Sequence, residues 1–277
     1  MNPPRFFCPF PLAAGARHEL TASAARHAAR VLRLKPGDAL TLFDGKGGEY
    51  AGRIQSHERE AGRDRVVAEL SAWRGVERES PLGLTLVQAL QSGEKMDITV
   101  QKAVELGAGR IVPVLARRSV VRLQGERAEK RGTHWRAVAA SACEQCGRNR
   151  VPEVADLCDL AHWLELPPEN AGTLRLMLEA EAGVRLDALQ KPGTGAVELL
   201  VGAEGGLAPE ERELAGKAGF IAVRLGPRVL RTETAGLAAL AAIQCLWGDF
   251  CGDSSANVRG RSPSSKPSRP DRPCTMP

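Results

Sequence analysis

The amino-acid sequence predicts an α/β fold, a mostly parallel sheet flanked by helices, preceded by a small all-β unit. Three observations lead there. Two short apolar runs, residues 197–201 and 220–225, have strand length, and each empties into a glycine-containing loop followed by a helical pattern. From Leu82 onward, strand-like and helix-like segments alternate, as in parallel strands joined by crossover helices. Before Arg74 several short strand-like pieces succeed one another with turn residues between them, which suggests a small β-barrel.

Taken in order, the chain opens on Arg5-Phe6-Phe7 and reaches a helical stretch at 22–32 that contains Arg26, His27 and Arg30. Lys35-Pro36-Gly37-Asp38 has turn chemistry. Strands are expected at 39–43, 49–56 and 65–72, separated by Asp44-Gly45-Lys46-Gly47-Gly48 and by the polar run 58–64. Residues 74–81 form a polar joint. The second unit begins with a strand at 84–90, a helix at 94–106 stopped by Gly107 and Gly109, and a strand at 110–115. A long helix over 126–144 leads into Gln145-Cys146-Gly147-Arg148, and strands at 174–178 and 197–201 bracket a helix near 184–189. The stretch 235–247 is apolar nearly all round, which buries it either inside one subunit or across a dimer interface. The two loops that follow the apolar runs are Gly202-Ala203-Glu204-Gly205-Gly206 and Gly226-Pro227-Arg228-Val229-Leu230-Arg231. Parallel α/β sheets build ligand sites from such loops at their carboxyl edge, so a pocket is predicted here.

Composition narrows the function. With 277 residues, 43% apolar and 26% charged, the chain has room for two domains and an ample core. No apolar run approaches the roughly 18 residues that a membrane span needs. The opening MNPPRFFCPF lacks the apolar core of a secretory signal. Seven scattered cysteines have no disulfide-framework spacing, so reduced thiols in a cytoplasmic protein are expected. Most of the formal net charge of +5 sits at 254–277, where five basic residues face one acidic; this Ser/Pro/Arg-rich segment reads as a disordered basic tail. Arg17, Arg26, Arg30, Arg33, Lys35, Lys46 and Arg53 give the first unit a basic face suited to phosphates. Four Trp, six Phe and one Tyr are too few for a base-stacking platform. Gly193-Thr194-Gly195 precedes a strand, whereas a dinucleotide fingerprint must follow one. No GxxxxGK[ST] loop occurs. Cys143 and Cys146 have zinc or redox spacing but no second pair, and the five histidines form no ligand set. The two cysteines therefore read as a buried pair, and no metal is expected.

Four blocks in order carry a family resemblance. They are Gly93-Glu94-Lys95-Met96 with Gln101-Lys102-Ala103-Val104-Glu105-Leu106-Gly107; Ala142-Cys143-Glu144-Gln145-Cys146-Gly147-Arg148; Gly202-Ala203-Glu204-Gly205-Gly206; and Leu225-Gly226-Pro227-Arg228-Val229-Leu230-Arg231-Thr232-Glu233-Thr234-Ala235. Over residues 4–250 the chain resembles the RsmE family of 16S ribosomal RNA uridine methyltransferases, within the SPOUT superfamily. The resemblance implies a PUA-like, RNA-binding β-barrel at 1–74 and a SPOUT α/β methyltransferase domain at 75–253 with a deep trefoil knot, a threading too rare to be read from spacing. It leaves 254–277 as an addition. Proteins similar to this one bind S-adenosylmethionine in the knot, act as homodimers and methylate N3 of a uridine in the decoding region. The implied partner is 16S rRNA or the assembled small subunit.

Within that resemblance the residues take roles. Gly202, Gly205, Gly206 and Gly226 let the backbone approach the cofactor. Glu204 stands in the same loop, Val201, Leu225 and Leu230 supply apolar walls, and Leu178-Glu179 form a third side. Methyl transfer from a sulfonium is an in-line displacement that depends on positioning and preorganised charge. Arg231 is the expected donor to the oxyanion that develops on the uracil, with Glu233 orienting it or taking the imide proton. Arg228 would hold an RNA phosphate or the cofactor carboxylate. Arg148 and Glu144 are further candidates for lining the RNA site, beside Arg26, Arg30 and Arg33 of the first unit. Two alternatives remain: a SPOUT methyltransferase on another RNA target, and a non-catalytic RNA-binding ribosome-assembly factor.

Overall fold

In the N-terminal unit, alternation of apolar and polar residues produces a five-stranded sheet. The computed structural model describes residues 3–168 and 170–251; the tail expected at 254–277 lies outside them. Strands β1 (Arg5–Phe7), β2 (Arg17–Glu19), β3 (Ala39–Phe43), β4 (Glu49–Glu60) and β5 (Arg63–Arg74) pair in the order β1-β3-β4-β5-β2. Leu40, Leu42, Ile54, Val66, Ala68 and Leu70 point to one face and close a core with Phe6 and Cys8. Helix α1 (Ala22–Arg26) starts where the Thr21 hydroxyl accepts from the Ala24 amide, and runs on as a wider turn at His27–Val31. The polar run 58–64, expected to separate two strands, is mostly strand itself. Glu58 stands opposite Arg65 and Arg59 opposite Asp64, so opposite charges pair across a solvent-facing hairpin. The turn falls at Ala61 and Gly62, both at positive φ.

The second unit is an eight-stranded, wholly parallel sheet. Its elements are β6 (Gly83–Ala89), α2 (Lys95–Glu105), β7 (Arg110–Leu115), α3 (Glu126–Cys146), β8 (Glu153–Val154), β9 (Cys158–Asp159), α4 (Leu160–Glu165), β10 (Leu174–Leu178), β11 (Val184–Arg185), β12 (Ala196–Val201), α5 (Pro209–Lys217), β13 (Ile221–Arg224) and α6 (Thr232–Trp247). The strand order is β11-β13-β10-β12-β6-β7-β8, with β9 also on β7. Leu84, Leu86, Val197, Leu199 and Val201 face one core, shared with Trp135 of α3 and with Leu240 and Ile243 of α6. Val87, Ala89 and Leu200 face the other, shared with Leu160 and Trp163 of α4 and Ala215 of α5. Both faces are covered, so β12 is buried along its whole length. Glu198 is tolerated in the middle of that strand because Arg175 stands beside it in register and pairs with it at 2.7 Å.

The helix expected at 184–189 does not form. The segment contributes the two-residue strand β11 and one tight turn at Leu186–Ala188. Only Leu186 is buried there, and Asp187 pairs with the neighbouring Arg185, leaving too short an apolar face to repay helix nucleation. Helix α6 lies in the subunit core, with Ala239, Leu240 and Ile243 fully buried. A Cβ at Gly236 would come within 3.3 Å of the Val201 side chain, so the helix rests directly on β12.

The two units share a polar joint. The Phe7 amide donates to Glu144 Oε1 at 2.9 Å, and Arg5 donates to the Arg148 carbonyl at 3.1 Å and to Asn149 Oδ1 at 2.5 Å while pairing with Glu49. Burial pushes the Glu144 carboxyl above its ordinary range, against the pull of the Phe7 amide. At Glu49 burial acts in the same direction but is outweighed by Arg5, Asn149 and Arg78, so that carboxyl lies low. Cys143 is buried, with its thiol pushed up to about 12 by desolvation, and donates to the Arg150 carbonyl at 3.6 Å.

Candidate active site

The carboxyl ends of four neighbouring strands lie level with one another. Register places Leu178 beside Val223 and Val201 beside Gln88, so the loops leaving β10, β12, β13 and β6 emerge along one edge. Three of them, with the start of α6, enclose a cavity of about 610 Å³. Leu178 and Glu179 form one side. Val201, Gly202, Glu204, Gly205 and Gly206 form the second, and Leu225, Gly226, Arg228 and Leu230 the third. Arg231 and Glu233 stand at the helix start. Every cofactor-binding and catalytic residue expected from the sequence therefore lines a single cavity.

The loop shapes follow from their glycines. Gly206 has φ +71°, and its amide donates to the Ala203 carbonyl at 2.8 Å, which makes the first loop a tight turn. A Cβ at Gly202 would lie 2.9 Å from the Leu207 nitrogen, so the loop folds back on itself only with glycine there. Gly226 differs: no protein atom stands within 4 Å of where its Cβ would be, and the space beside its backbone is the cavity itself. The two loops are tied together by Thr232, whose hydroxyl donates to the Gly202 carbonyl at 2.6 Å and accepts from Gln88 Nε2 at 3.1 Å.

Charge is concentrated at the mouth. Lys95 Nζ lies 3.3 Å from Glu233 and 3.8 Å from Glu204. Glu204 also accepts from the Ser92 hydroxyl at 3.3 Å. The Glu233 carboxyl is held below its ordinary range by its own backbone amide first, and then by Lys95 and the nearby charge of Arg231. Arg231 is exposed at the N-cap of α6, where its carbonyl accepts from the Thr234 and Ala235 amides, and its side chain makes no hydrogen bond within the described residues. Glu179 is paired with Arg212 at 3.2 Å. Arg118 donates to the Gly205 carbonyl at 2.8 Å while its methylenes pack on that glycine. The sequence reading assigned no role to Lys95, Thr232, Arg118 or Arg212. For Lys95 there was a signal, since its block directly follows a strand whose carboxyl end lies on the same edge.

The expected RNA-contacting arginines separate into three groups. Arg228 is exposed and lines the cavity. Arg26 and Arg33 are exposed on the N-terminal unit, where Arg30 is held at 2.6 Å by Asp64. Arg148 must be corrected. It is 5% exposed, paired with Glu79 at 2.5 Å, and donates to the Val104 and Ala108 carbonyls at 2.9 and 2.7 Å. Its guanidinium is consumed in tying 145–148 to the end of α2, which leaves none of it for a phosphate. Glu144 is likewise taken up by the joint. Among the described residues no group of His, Cys, Asp or Glu could hold a metal, and no helix is long and apolar enough to cross a membrane.

A parallel sheet with a loop-built cavity at its carboxyl edge, joined to a small β unit, has the architecture of an RNA methyltransferase with a PUA domain. Residues 78–244 match the family described as RNA methyltransferase domain, and residues 20–61 match the RNA methyltransferase PUA domain. Ribosomal RNA small subunit methyltransferase E of Mycobacterium bovis is 37% identical over 83% of this chain and 86% of its own length; that of Bacillus subtilis is 31% identical over 81% and 88%. The crystal structure of a ribosomal RNA small subunit methyltransferase E from Neisseria gonorrhoeae bound to S-adenosyl methionine superposes with a TM-score of 0.84 at 43% identity, covering 90% of this chain and 100% of that one. The chain belongs to the ribosomal RNA small subunit methyltransferase E family.

Proposed function

We propose that this chain transfers the methyl group of S-adenosylmethionine to N3 of a uridine in 16S rRNA, and that the cavity at the carboxyl edge is where it does so. The carrying observation is the convergence of three loops and the start of α6 on one cavity whose wall at Gly226 is bare backbone. That cradle, with Val201, Leu225, Leu230 and Leu178 as apolar surface and Glu179 as a polar neighbour, fits an adenosine bearing a short charged arm. When bound, the cofactor supplies an electrophilic methyl on a sulfonium centre.

The residues of this chain do the rest. Arg231 donates to the uracil oxygen on which negative charge gathers as the imide releases its N3 proton to solvent water and becomes nucleophilic. Glu233, depressed and paired with Lys95, is a poor proton acceptor; it serves as the charge partner that fixes Lys95, and through it Glu204, at the mouth. Arg228 meets an RNA phosphate or the cofactor carboxylate. The PUA-like unit, residues 1–74, holds the RNA with Arg26 and Arg33, and residues 75–253 act as the methyltransferase domain. The chain threads as a deep trefoil knot around the cavity, as membership of its family implies. It acts as a homodimer in the cytoplasm; the adjoining helices α2 and α6 leave Ile98 and Leu246 about half exposed, at 50% and 45%, as surface for a second copy.

Incubating the purified protein with S-adenosylmethionine and small ribosomal subunits or 16S rRNA, followed by nucleoside digestion, tests this. The expected product is 3-methyluridine. A ribose-methylated nucleoside, or methylation of tRNA alone, would replace the substrate, and no transfer at all would leave an RNA-binding factor.

A further inference from the structure

A second cavity, of about 380 Å³, opens beside the first. Its floor is apolar: Leu90 and Trp135 are buried, with Val121 and Leu123 half-buried above them. Its rim is cationic. Arg127, Lys130 and Arg131 lie at spacings of three and four on α3 and so share one helix face. The Arg127 side chain makes no hydrogen bond or ion pair within the described residues, and the partner of Lys130, Glu126, is an exposed neighbour on the same helix. The Arg131 guanidinium sits 5.8 Å from the Trp135 ring centroid and donates to the Gly93 carbonyl at 3.2 Å, which fixes its position over the floor.

Residues 91–95 run between the two cavities: Gln91 lines the second and donates at 3.4 Å to the hydroxyl of Thr232, which lines the first. Ser92 and Lys95 face the first cavity through Glu204 and Glu233, while Gln91 and Gly93 line the second. One hydrogen bond, from Gln91 to Thr232, thus spans the ground between them, so RNA presenting a base to the first cavity has the second alongside. An apolar slot with cations along one lip is complementary to an unstacked base that carries its phosphate at the edge. A peptide or lipid tail would need the apolar floor but not three cations.

We propose that this second cavity receives an unpaired nucleotide of the RNA substrate next to the methylated uridine, its base in the slot above Leu90 and its phosphate on Arg127 and Lys130. This rests on the RNA-methyltransferase reading of the first cavity.

The test uses the full-length protein, a 16S rRNA fragment and two variants. Arg127→Ala with Lys130→Ala removes the rim but touches only exposed side chains. Leu123→Trp fills the slot and leaves the charges. RNA affinity is read directly by fluorescence titration at several salt concentrations, beside KM for RNA, kcat and the affinity for S-adenosylmethionine. The rim variant is expected to weaken RNA binding about tenfold and to reduce the slope of log K against log salt by about 0.7 for each lost contact to single-stranded RNA. Leu123→Trp is expected to weaken binding with the slope unchanged. Both should keep the cofactor affinity of the parent. Unchanged RNA binding in both variants would overturn the inference, as would a Leu123→Trp protein that loses self-association while binding RNA normally, since a second copy would then occupy the slot. A parent protein that binds RNA in this pattern but transfers no methyl group would contradict the reading of the first cavity alone.

Discussion

Lys95 brings an acidic side chain from the loop after β12 and another from the first turn of α6 to one point, and its removal takes away the cation that pairs with both. Lys95→Met is expected to lower kcat by about tenfold to a hundredfold, less than loss of a donor aimed at the developing charge itself, because Lys95 acts through Glu204 and Glu233. Cofactor affinity should change little, and Lys95→Arg should recover part of the loss; steady-state kinetics with both variants checks this. A fall confined to KM would place the lysine in RNA binding. Glu144 makes a different residue-scale prediction. Its carboxyl titrates above the ordinary 4.5 because burial disfavours the charge. The folded protein thus holds that proton more tightly than the unfolded chain does. Its contribution to stability is fully present below the unfolded value and is lost as pH rises through the raised folded value. Glu144→Gln retains an acceptor for the Phe7 amide and cannot titrate, so its Tm relative to the parent should rise between pH 4.5 and pH 8. A pH-independent difference would contradict this.

At the scale of elements, the segment joining α3 to β8 and the loop after β13 have separate duties, and each can be broken alone. Arg148→Met leaves Glu79 and two backbone carbonyls without their buried partner, which should destabilise the fold by about 3–5 kcal/mol. Chemical denaturation would show it; a stable protein with a raised KM for RNA would instead restore Arg148 to the RNA site. Gly226→Val places methyl groups in open cavity and should leave stability within about 0.5 kcal/mol of the parent. Calorimetric titration should then show S-adenosylmethionine binding reduced beyond detection. Normal binding would move the cofactor elsewhere. The sequence distinguished these elements unevenly. Strands β3, β7 and β10 were legible to the residue because each is a short apolar run between turn signals. Strands β1, β2, β8, β9 and β11 have two or three residues each and are defined by their partners, which a local pattern does not contain.

For the whole molecule, the order of motifs was more informative than any one of them. The glycine loops after β12 and β13 announced a cavity because strand, loop and helix recur in that sequence, and the register of the parallel strands brings them level. What stayed hidden was tertiary. Arg148 and Glu144 sit in a family block and carry charges suited to RNA, yet Glu144 is taken up where the N-terminal sheet docks on α3, and Arg148 is buried against Glu79 and the end of α2. Lys95 and the cavity above Trp135 depend on the packing of α2 and α3 beside the carboxyl edge, a contact between segments distant in the chain. The measurement that tests the central claim most directly is nucleoside analysis of 16S rRNA from cells lacking this protein, before and after its return. The expected result is loss of 3-methyluridine, restored by the parent protein and not by Arg231→Ala expressed at the same level. Unchanged 3-methyluridine in the deficient cells, or full restoration by Arg231→Ala, would contradict the account.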